Sequence, residues 1–432
     1  MTSAGPTVAV IIPTHNRHAS LERTVRSLAA PAPVPELMEI IVVADGCSDR
    51  TREIRGVSWP VPVRLLEQAR QGPAAARNRG AAAATADILI FLDDDIEVWS
   101  GFVAAHLRTH ADDSVRVVIG YLPPELQERR DFFAIMLRGW WEAMFDSMRD
   151  PGHRYAYSDL LSGNFSIRRA LFEQVGGFNE LLRCHEDYEL GFRLISAGAR
   201  FAFAEGAAGW HHERTDLMRA LQRKRDEGAA DIELARRHPT LTLALPLCRQ
   251  AHGLTRRGRV LRSLAVAHPG PGDRLERCCR SLLPVLEAAR LRTRWRRLLD
   301  DLLSYWYWRG VGESTRGSRI AELCGASPVA RPALYDLNLE AGLSAAVQEL
   351  DRVRPEAVRL WLGSVVIGTV PSEPGAEPIR GHHLPWLLRR HFARPLGEAL
   401  ARSRKCESST IATPPATPVP DTASDEWSLR QT

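Results

Sequence analysis

The chain has 432 residues, of which 44% are hydrophobic and 25% are charged, a balance that excludes a wholly disordered chain, a collagen and a coiled-coil rod. The 57 basic and 52 acidic residues leave a formal net charge of +5, and this modest excess does not indicate a nucleic-acid partner. The seven cysteines include no Cys-x-x-Cys pair, which indicates neither a zinc site nor a disulfide framework. We therefore expect a reducing, cytoplasmic location, since no signal peptide and no apolar run long enough to span a membrane is recognisable.

Short apolar runs alternate with helical patterns over about the first 205 residues, which predicts a mainly parallel α/β sheet. Strands are expected at residues 8–12, 39–43, 63–66, 87–92, 115–119, 162–167 and 201–203. Helices are expected at residues 20–30, 74–84, 100–110, 124–149, 170–175 and 186–197. Residues 39–43 are apolar throughout, as is typical of a strand that is buried on both faces.

The pattern changes after about residue 240. Amphipathic, Arg-rich helices are expected in a region of residues 241–350, followed by a small mixed region at 351–407 and a disordered tail at 408–432. The small region contains a predicted hairpin that turns at Gly363-Ser364. Two roles stay open for the Arg-rich helices: peripheral contact with an anionic membrane surface, or a cap on the first domain or contact between copies.

Acidic residues follow two of the predicted strands, at the sheet edge where ligands of open α/β folds bind. Asp45 follows the second strand, and Asp93, Asp94 and Asp95 follow the fourth. Three adjacent carboxylates repel one another, and a hard divalent cation with oxygen ligands is their natural partner, although a solvated acidic turn is the alternative. No glycine-rich dinucleotide fingerprint follows the first strand, which argues against an NAD enzyme.

Six segments in this order resemble the motifs of the inverting glycosyltransferases of family 2. They are residues 10–17, 41–49, 72–80, 91–95, 176–180 and 185–191, and the resemblance extends over about residues 6–225. It implies the GT-A fold over residues 1–240 and transfer of a sugar from a nucleoside-diphosphate sugar, foremost a UDP-sugar, to a hydroxyl group. The implied cofactor is Mg²⁺ or Mn²⁺, and the acceptor is a glycan, a lipid-linked molecule or a small molecule.

The resemblance assigns the donor side of the site as follows. Asp45 would accept a hydrogen bond from the nucleotide base, and Thr14 would form the pocket wall beside it. Arg77 would approach the diphosphate, but an ion pair with Asp93 is an equal alternative. A turn aspartate and a strand-end hydroxyl are the plain structural alternatives for Asp45 and Thr14.

The metal ligands are less sharply assigned. By the family's Asp-x-Asp pattern, Asp93 would approach the ribose and Asp95 would bind the metal, but Asp94 could replace either. His211 and His212 follow the predicted strand 201–203 and are candidates for further metal ligands, with solvated loop histidines as the alternative.

Glu186 and Asp187 match the pair that supplies the catalytic base in this family. We expect Asp187 to take the proton of the acceptor hydroxyl, with Glu186 in support, although the two could exchange roles. Carboxylates at a helix N-terminus are also explained by the helix dipole alone. The aromatic residues Trp140, Trp141 and Phe145 would either stack on sugar rings or pack in the core.

Two rival functions are weighed against a transferase. A sugar nucleotidyltransferase uses a related sheet, but it needs a glycine-rich loop with a basic residue after the first strand, and residues 13–17 do not provide one. A non-catalytic protein that only binds nucleotide sugars would not need all of the carboxylates Asp45, Asp95 and Asp187.

Overall fold

A computed structural model describes residues 5–29, 36–110, 113, 115–123, 125, 131–212, 215–253, 255–315, 320, 322–324 and 333–409. An eight-stranded sheet forms its centre, in the order β3-β2-β1-β4-β7-β6-β8-β5. The strands are β1 (Val8–Thr14), β2 (Leu37–Asp45), β3 (Val63–Gln68), β4 (Ile88–Leu92), β5 (Ile96–Val98), β6 (Arg116–Tyr121), β7 (Asn164–Arg168) and β8 (Arg200–His211). Strands β3, β2, β1 and β4 run parallel, β7 is antiparallel to both of its neighbours, and β8 pairs parallel with β6 and antiparallel with β5.

Six helices connect these strands and cover the sheet. They are α1 (His18–Ala29), α2 (Pro73–Ala83), α3 (Phe102–His110), α4 (Phe132–Arg149), α5 (Arg169–Gln174) and α6 (Glu186–Ser196). Every residue of β1 and β4 is buried, which explains why the sequence of these strands does not alternate between apolar and polar residues. Phe91 stacks on Phe165 across β4 and β7 with ring centroids 4.8 Å apart, and this pair lies at the centre of the core.

Two histidines of α3 lie in a buried chain of hydrogen bonds on β7. Ser166 Oγ lies 2.9 Å from both His106 Nδ1 and His110 Nε2, and His106 Nε2 lies 3.0 Å from Asn164 Oδ1. Burial lowers the pKa of His106 to about 3 and that of His110 to about 4. Both rings are therefore neutral, so each Nε2 carries the proton that is donated to its oxygen partner.

A second group of helices packs beside the sheet domain. It comprises α7 (Leu217–Arg237), α8 (Pro246–Gly253), α9 (Arg256–Val266), α10 (Pro269–Arg280), α11 (Leu283–Ala288) and α12 (Arg292–Ser314). Helices α7 and α12 approach very closely, because Gly228 faces the carbonyl group of Tyr307 and Gly310 faces that of Arg225. A Cβ atom at either glycine would overlap the facing backbone, so only glycine allows this approach.

The last part of the chain forms a small unit with its own apolar cluster. Its elements are β9 (Leu334–Asn338), α13 (Leu343–Val353), β10 (Ala357–Leu362), β11 (Val365–Val370), α14 (His383–Arg390) and α15 (Ala393–Ser409). Strand β10 pairs antiparallel with β11 and parallel with β9, and the predicted hairpin at Gly363-Ser364 is present. Arg154, in the sheet domain, donates to the carbonyl oxygens of Glu377 at 2.6 Å and Glu356 at 3.1 Å, which fastens the unit to that domain.

The expected class, a mainly parallel α/β sheet of GT-A type with a mostly helical extension, is confirmed. The predicted strand at 201–203 was too short: β8 has 12 residues and continues through a run of alanine and glycine that has low β-propensity. Strands β5 and β9 were not predicted, and β9 lies before the expected boundary at residue 350. Residues 410–432 of the predicted tail lie outside the described residues. None of the described helices is long and apolar enough to cross a membrane.

Candidate active site

The ends of β1, β2 and β4 meet at one edge of the sheet because these strands are parallel neighbours. Asp45 ends β2, and its buried carboxylate is held by the chain itself. It accepts hydrogen bonds from Gln68 Nε2 at 2.9 Å and from the backbone N–H groups of Gln71 at 2.7 Å and Gly72 at 2.8 Å. Asp45 therefore fixes the loop before α2, and its contact with a nucleotide base stays a prediction.

Asp94, the middle of the three adjacent aspartates, is buried under the edge of the sheet. Its carboxylate accepts hydrogen bonds from Thr14 Oγ1 at 2.6 Å and Arg17 Nη1 at 3.1 Å, and its carbonyl oxygen accepts one from Thr24. Burial raises the pKa of Asp94 to about 6, although the bonds from Thr14 and Arg17 oppose this shift. The hydrogen bond between Thr14 and Asp94 thus gives each of these two buried side chains a polar partner.

Asp95 faces His211, which was not evident from their separation in the sequence. Strand β8 continues to His211 and pairs it with Ile96 of β5, so the imidazole reaches the residue that precedes β5. His211 Nε2 lies 3.5 Å from Asp95 Oδ1, and Arg17 Nη1 lies 2.9 Å from Asp95 Oδ2. Burial would raise the pKa of Asp95, but His211 and Arg17 outweigh it and hold this pKa below its ordinary value.

His212 faces a different set of groups. Its Nδ1 lies 2.6 Å from a carboxylate oxygen of Glu125, and its Nε2 lies 3.0 Å from one of Glu97. Only its backbone reaches Asp95, through an N–H···O=C bond of 3.0 Å. Adjacent residues of an extended chain point to opposite sides, so His211 and His212 do not converge on one ion.

Arg77 on α2 is a buried cation between two carboxylates. Its Nη2 lies 2.8 Å from Asp93 Oδ1, its Nη1 lies 3.0 Å from Glu186 Oε1, and its guanidinium group is 5.5 Å from the Phe178 ring centroid. Burial would lower the pKa of Arg77, but Asp93 and Glu186 outweigh it and raise that pKa. The predicted alternative, an ion pair with Asp93, is present, and a contact of Arg77 with a diphosphate stays a prediction.

Glu186 and Asp187 begin α6 and differ in their surroundings. Glu186 is buried against Arg77, and burial together with the neighbouring charge of Asp187 raises its pKa. Asp187 is half-buried, and one of its oxygens lies 3.3 Å from the backbone N and 3.4 Å from the Oγ of Ser162. Both carboxylates border a cavity of about 410 Å³, which Arg77 and Asp93 also line.

The aromatic residues of α4 divide between this cavity and the core. Trp140 and Trp141 line the cavity, and Trp140 is half exposed, whereas Phe145 is fully buried. Helix α7 and the segment before α6 contribute further polar residues, which no motif indicated because they come from outside the matched segments: Arg183, Arg219, Gln222, Arg223 and Asp226. Asp45 and Asp95 do not line this cavity, so Asp93 is the aspartate that links it to the edge of the sheet.

The pair Asp95 and His211 suits a divalent ion that binds a second molecule as well. These residues offer one carboxylate oxygen and one imidazole nitrogen 3.5 Å apart, and an Mg²⁺ or Mn²⁺ ion would need its other ligands from water and phosphate.

A second cluster of ligand-type groups, in the described part of the chain, is less suitable. It consists of Glu377, His382 and His383. His383 Nδ1 accepts the backbone N–H of Arg380, so the proton is on Nε2, the atom that would have to bind the ion.

Comparison with known proteins gives a family match for the first part of the chain. Residues 9–176 match the model for glycosyl transferase family 2. A pre-mycofactocin glycosyltransferase of Mycobacterium tuberculosis is 32% identical over 247 residues, which cover 55% of this chain and 49% of that protein. A validoxylamine A glucosyltransferase of Streptomyces hygroscopicus subsp. limoneus is 33% identical over 243 residues, which cover 50% of this chain and 54% of that protein. The chain thus spans about half the length of these relatives.

Among solved structures, a mannosyltransferase of Pyrobaculum calidifontis in complex with GDP-Man and Mn²⁺ is similar with a TM-score of 0.49 at 19% identity. The similarity covers 71% of this chain and 88% of that one.

Proposed function

Because residues 9–176 match the model for glycosyl transferase family 2, we propose that this chain is an inverting transferase that moves a sugar from a nucleoside-diphosphate sugar to a hydroxyl acceptor. The observation that carries this proposal is the arrangement of the cavity. Asp93, at the sheet edge, and Asp187, at the start of α6, border the same space. A donor bound at the edge would therefore present its sugar to a proton acceptor on the far wall.

The surroundings of the two carboxylates support Asp187 as the base. Glu186 is engaged by Arg77 and buried, whereas Asp187 faces the cavity: its Oδ1 accepts the N–H of Tyr188 at 2.9 Å, and its Oδ2 has only long contacts from Ser162. The role we propose for Asp187 is to remove the proton of the acceptor hydroxyl as its oxygen attacks the anomeric carbon. The role of Glu186 is to hold Arg77 in place beside Asp93.

The diphosphate is proposed to lie beside Asp95 and His211. These residues would hold Mg²⁺ or Mn²⁺, and the bound ion would offset the charge that develops on the leaving diphosphate. Since His212 is held by Glu97 and Glu125, we leave it out of the proposed ligand set. Asp93 would reach the ribose, and Asp45, with Thr14 nearby, would bind the base. The donor we propose first is a UDP-sugar, and a small-molecule acceptor is consistent with the name of the glucosyltransferase relative.

The first test is binding of the nucleotide part. Thermal unfolding is measured with UDP and with GDP, each with and without Mn²⁺, because a ligand that binds only the folded state raises the melting temperature. We expect a rise that needs both nucleotide and metal. No rise with either nucleotide would refute the proposed donor site.

The second test is turnover. Release of nucleoside diphosphate is measured from a panel of UDP- and GDP-sugars in the presence of small hydroxyl acceptors. Asp187→Asn should lower the rate by about 10²–10⁴-fold and leave nucleotide binding intact. Asp300→Asn is the control, since Asp300 is an exposed carboxylate on α12 that bonds Arg296 and does not line the cavity, and it should keep the parent rate.

The rival functions predict other outcomes. A protein that only binds nucleotide sugars would show the thermal shift without release of nucleotide. A sugar nucleotidyltransferase would form a nucleotide sugar from a nucleoside triphosphate and a sugar phosphate, and a separate assay with these two substrates would detect it by release of pyrophosphate. Equal turnover by Asp187→Asn and the parent would refute the assignment of the base.

We also propose a cytoplasmic location with peripheral contact at the inner face of the membrane through the region 241–350. Its support is the exposure of Val260 and Val285 among the Arg-rich helices. The full chain should co-sediment with vesicles that contain anionic phospholipid and not with neutral vesicles. Absence from both pellets would refute the contact.

We further propose that the small mixed unit begins at β9 rather than at residue 351, since β9 pairs with β10.

A further inference from the structure

Helix α6 begins at a residue in an unusual conformation. His185, the N-cap of this helix, has φ of 60° and ψ of 22°, the left-handed region that residues with a Cβ atom rarely adopt. Its ring is buried and stacks on Tyr188 with centroids 4.4 Å apart. The next two residues are Glu186 and Asp187. The groups that hold His185 therefore also fix the start of α6 and the positions of these two carboxylates. Such a conformation persists only where the surroundings enforce it.

A chain of buried polar groups provides that constraint. His185 Nδ1 lies 3.1 Å from Asp231 Oδ1 on α7, and the hydroxyl of Tyr307 on α12 donates to Asp231 Oδ2 at 2.5 Å. Asp231 is 1% exposed and Tyr307 is 4% exposed, so each relies on the others for hydrogen bonds. A carboxylate only accepts, so the imidazole Nδ1 and the phenol both donate to Asp231.

The protonation of these groups agrees with this geometry. Burial would lower the pKa of His185, but the bond to Asp231 outweighs it and raises that pKa. Burial beside Asp231 raises the pKa of Tyr307 well above its ordinary value, so the phenol keeps its proton. The close approach of α7 and α12 at Gly228 and Gly310 is what brings the phenol within reach of Asp231.

We propose that Asp231 and Tyr307 are positioning residues that hold His185, and through it Asp187, in the place required for proton removal. This proposal rests on the proposed function of Asp187. The proposal gives α12 a positioning role, since this helix supplies Tyr307 although it lies far outside the family match. Neither residue touches the cavity, so both act only through His185.

The test compares Tyr307→Phe with Tyr305→Phe. Tyr305 lies on the same helix and is equally buried, but it donates to Asp273 on α10 at 2.5 Å rather than to Asp231, which makes it a matched control. With the donor that the parent turns over best, Tyr307→Phe should lower kcat by about tenfold and leave the KM for that donor within about twofold, because misplaced groups lose transition-state stabilisation. Tyr305→Phe should leave both constants at the parent values.

A second variant and a second readout separate this proposal from the proposed function. Asp231→Asn keeps the shape of this side chain but removes its negative charge. Like Tyr307→Phe, it should lower kcat. Cys184, which precedes His185 and lines the cavity, reports on the segment without any turnover. Its alkylation by iodoacetamide, followed by peptide mass spectrometry relative to Cys47, should accelerate at least about threefold in Tyr307→Phe and not in Tyr305→Phe.

Each outcome then has one meaning. An unchanged Cys184 rate in Tyr307→Phe overturns the positioning role, whether or not the protein transfers sugar. A faster Cys184 rate with an unchanged kcat overturns its catalytic consequence. Failure of the parent to turn over any donor overturns the proposed function, while the Cys184 rates still decide whether Tyr307 holds this segment.

Discussion

Replacement of Arg77 by methionine tests the central ion pairs of the candidate site. Arg77 is 4% exposed and bonds both Asp93 and Glu186, so methionine keeps the apolar volume and removes the charge and both bonds. Removing one partner of a buried ion pair costs about 3–5 kcal/mol, because the remaining charge has no partner. In a domain of about 150–250 residues each kcal/mol lowers the melting temperature by about 2–4 °C. We therefore expect Arg77→Met to lower it by about 6–20 °C.

The assay is thermal unfolding followed by circular dichroism, with two further variants. Arg50→Met is the control, since Arg50 and Glu53 form a pair with exposed side chains, and it should leave the melting temperature unchanged. The double variant of Arg77→Met with Glu186→Gln should recover part of the loss, because a neutral amide costs less to bury than an unpaired carboxylate. A fall of less than about 2 °C for Arg77→Met, or no recovery in the double variant, would refute this reasoning.

Three other expectations follow from the structure. The two histidines of α3 have pKa values of about 3 and about 4 when folded and titrate near 6.5 when unfolded, so each contributes stability above pH 6.5 that is lost as the pH falls. Denaturant unfolding should show a loss of about 2 kcal/mol per histidine between pH 6.5 and 5, and a flat profile would contradict this. Gly310→Ala should prevent α12 from packing on α7 and lower the melting temperature, whereas Gly139→Ala, with no atom near its Cβ position, should not, as scanning calorimetry will show. His211→Ala should weaken Mn²⁺-dependent binding of nucleotide in calorimetric titration and His212→Ala should not, and equal losses would contradict the ligand assignment.

The sequence allowed the sheet domain to be predicted but not every part of its edge. Buried strands such as β1 are apolar throughout, and this pattern is visible without a structure. The end of β8 is not visible in this way, because its alanines and glycines pair through the backbone and carry little β-propensity. Because the strand extends to its end at His211, the side chains of His211 and His212 point to opposite sides. Their different surroundings could therefore not be predicted from the sequence. The role proposed for Tyr307 could not be predicted either, because its contact with Asp231 joins residues that are 76 positions apart in the sequence.

The three adjacent aspartates show that the spacing of a motif does not decide which residue has which role. The fold reduces the alternatives, because it gives each aspartate different neighbours. After β4 the chain turns, and each carboxylate meets a different element: Asp93 meets Arg77 on α2, Asp94 meets Thr14 at the end of β1, and Asp95 meets His211 at the end of β8. Asp94 is the most deeply buried of the three, and Thr14 and Arg17 each bond one of its two carboxylate oxygens. A cation and a ribose both need carboxylate oxygens that are not already taken up by the chain. We therefore propose the outer pair, Asp93 and Asp95, for the substrate and the ion, and Asp94 for holding the turn that separates them.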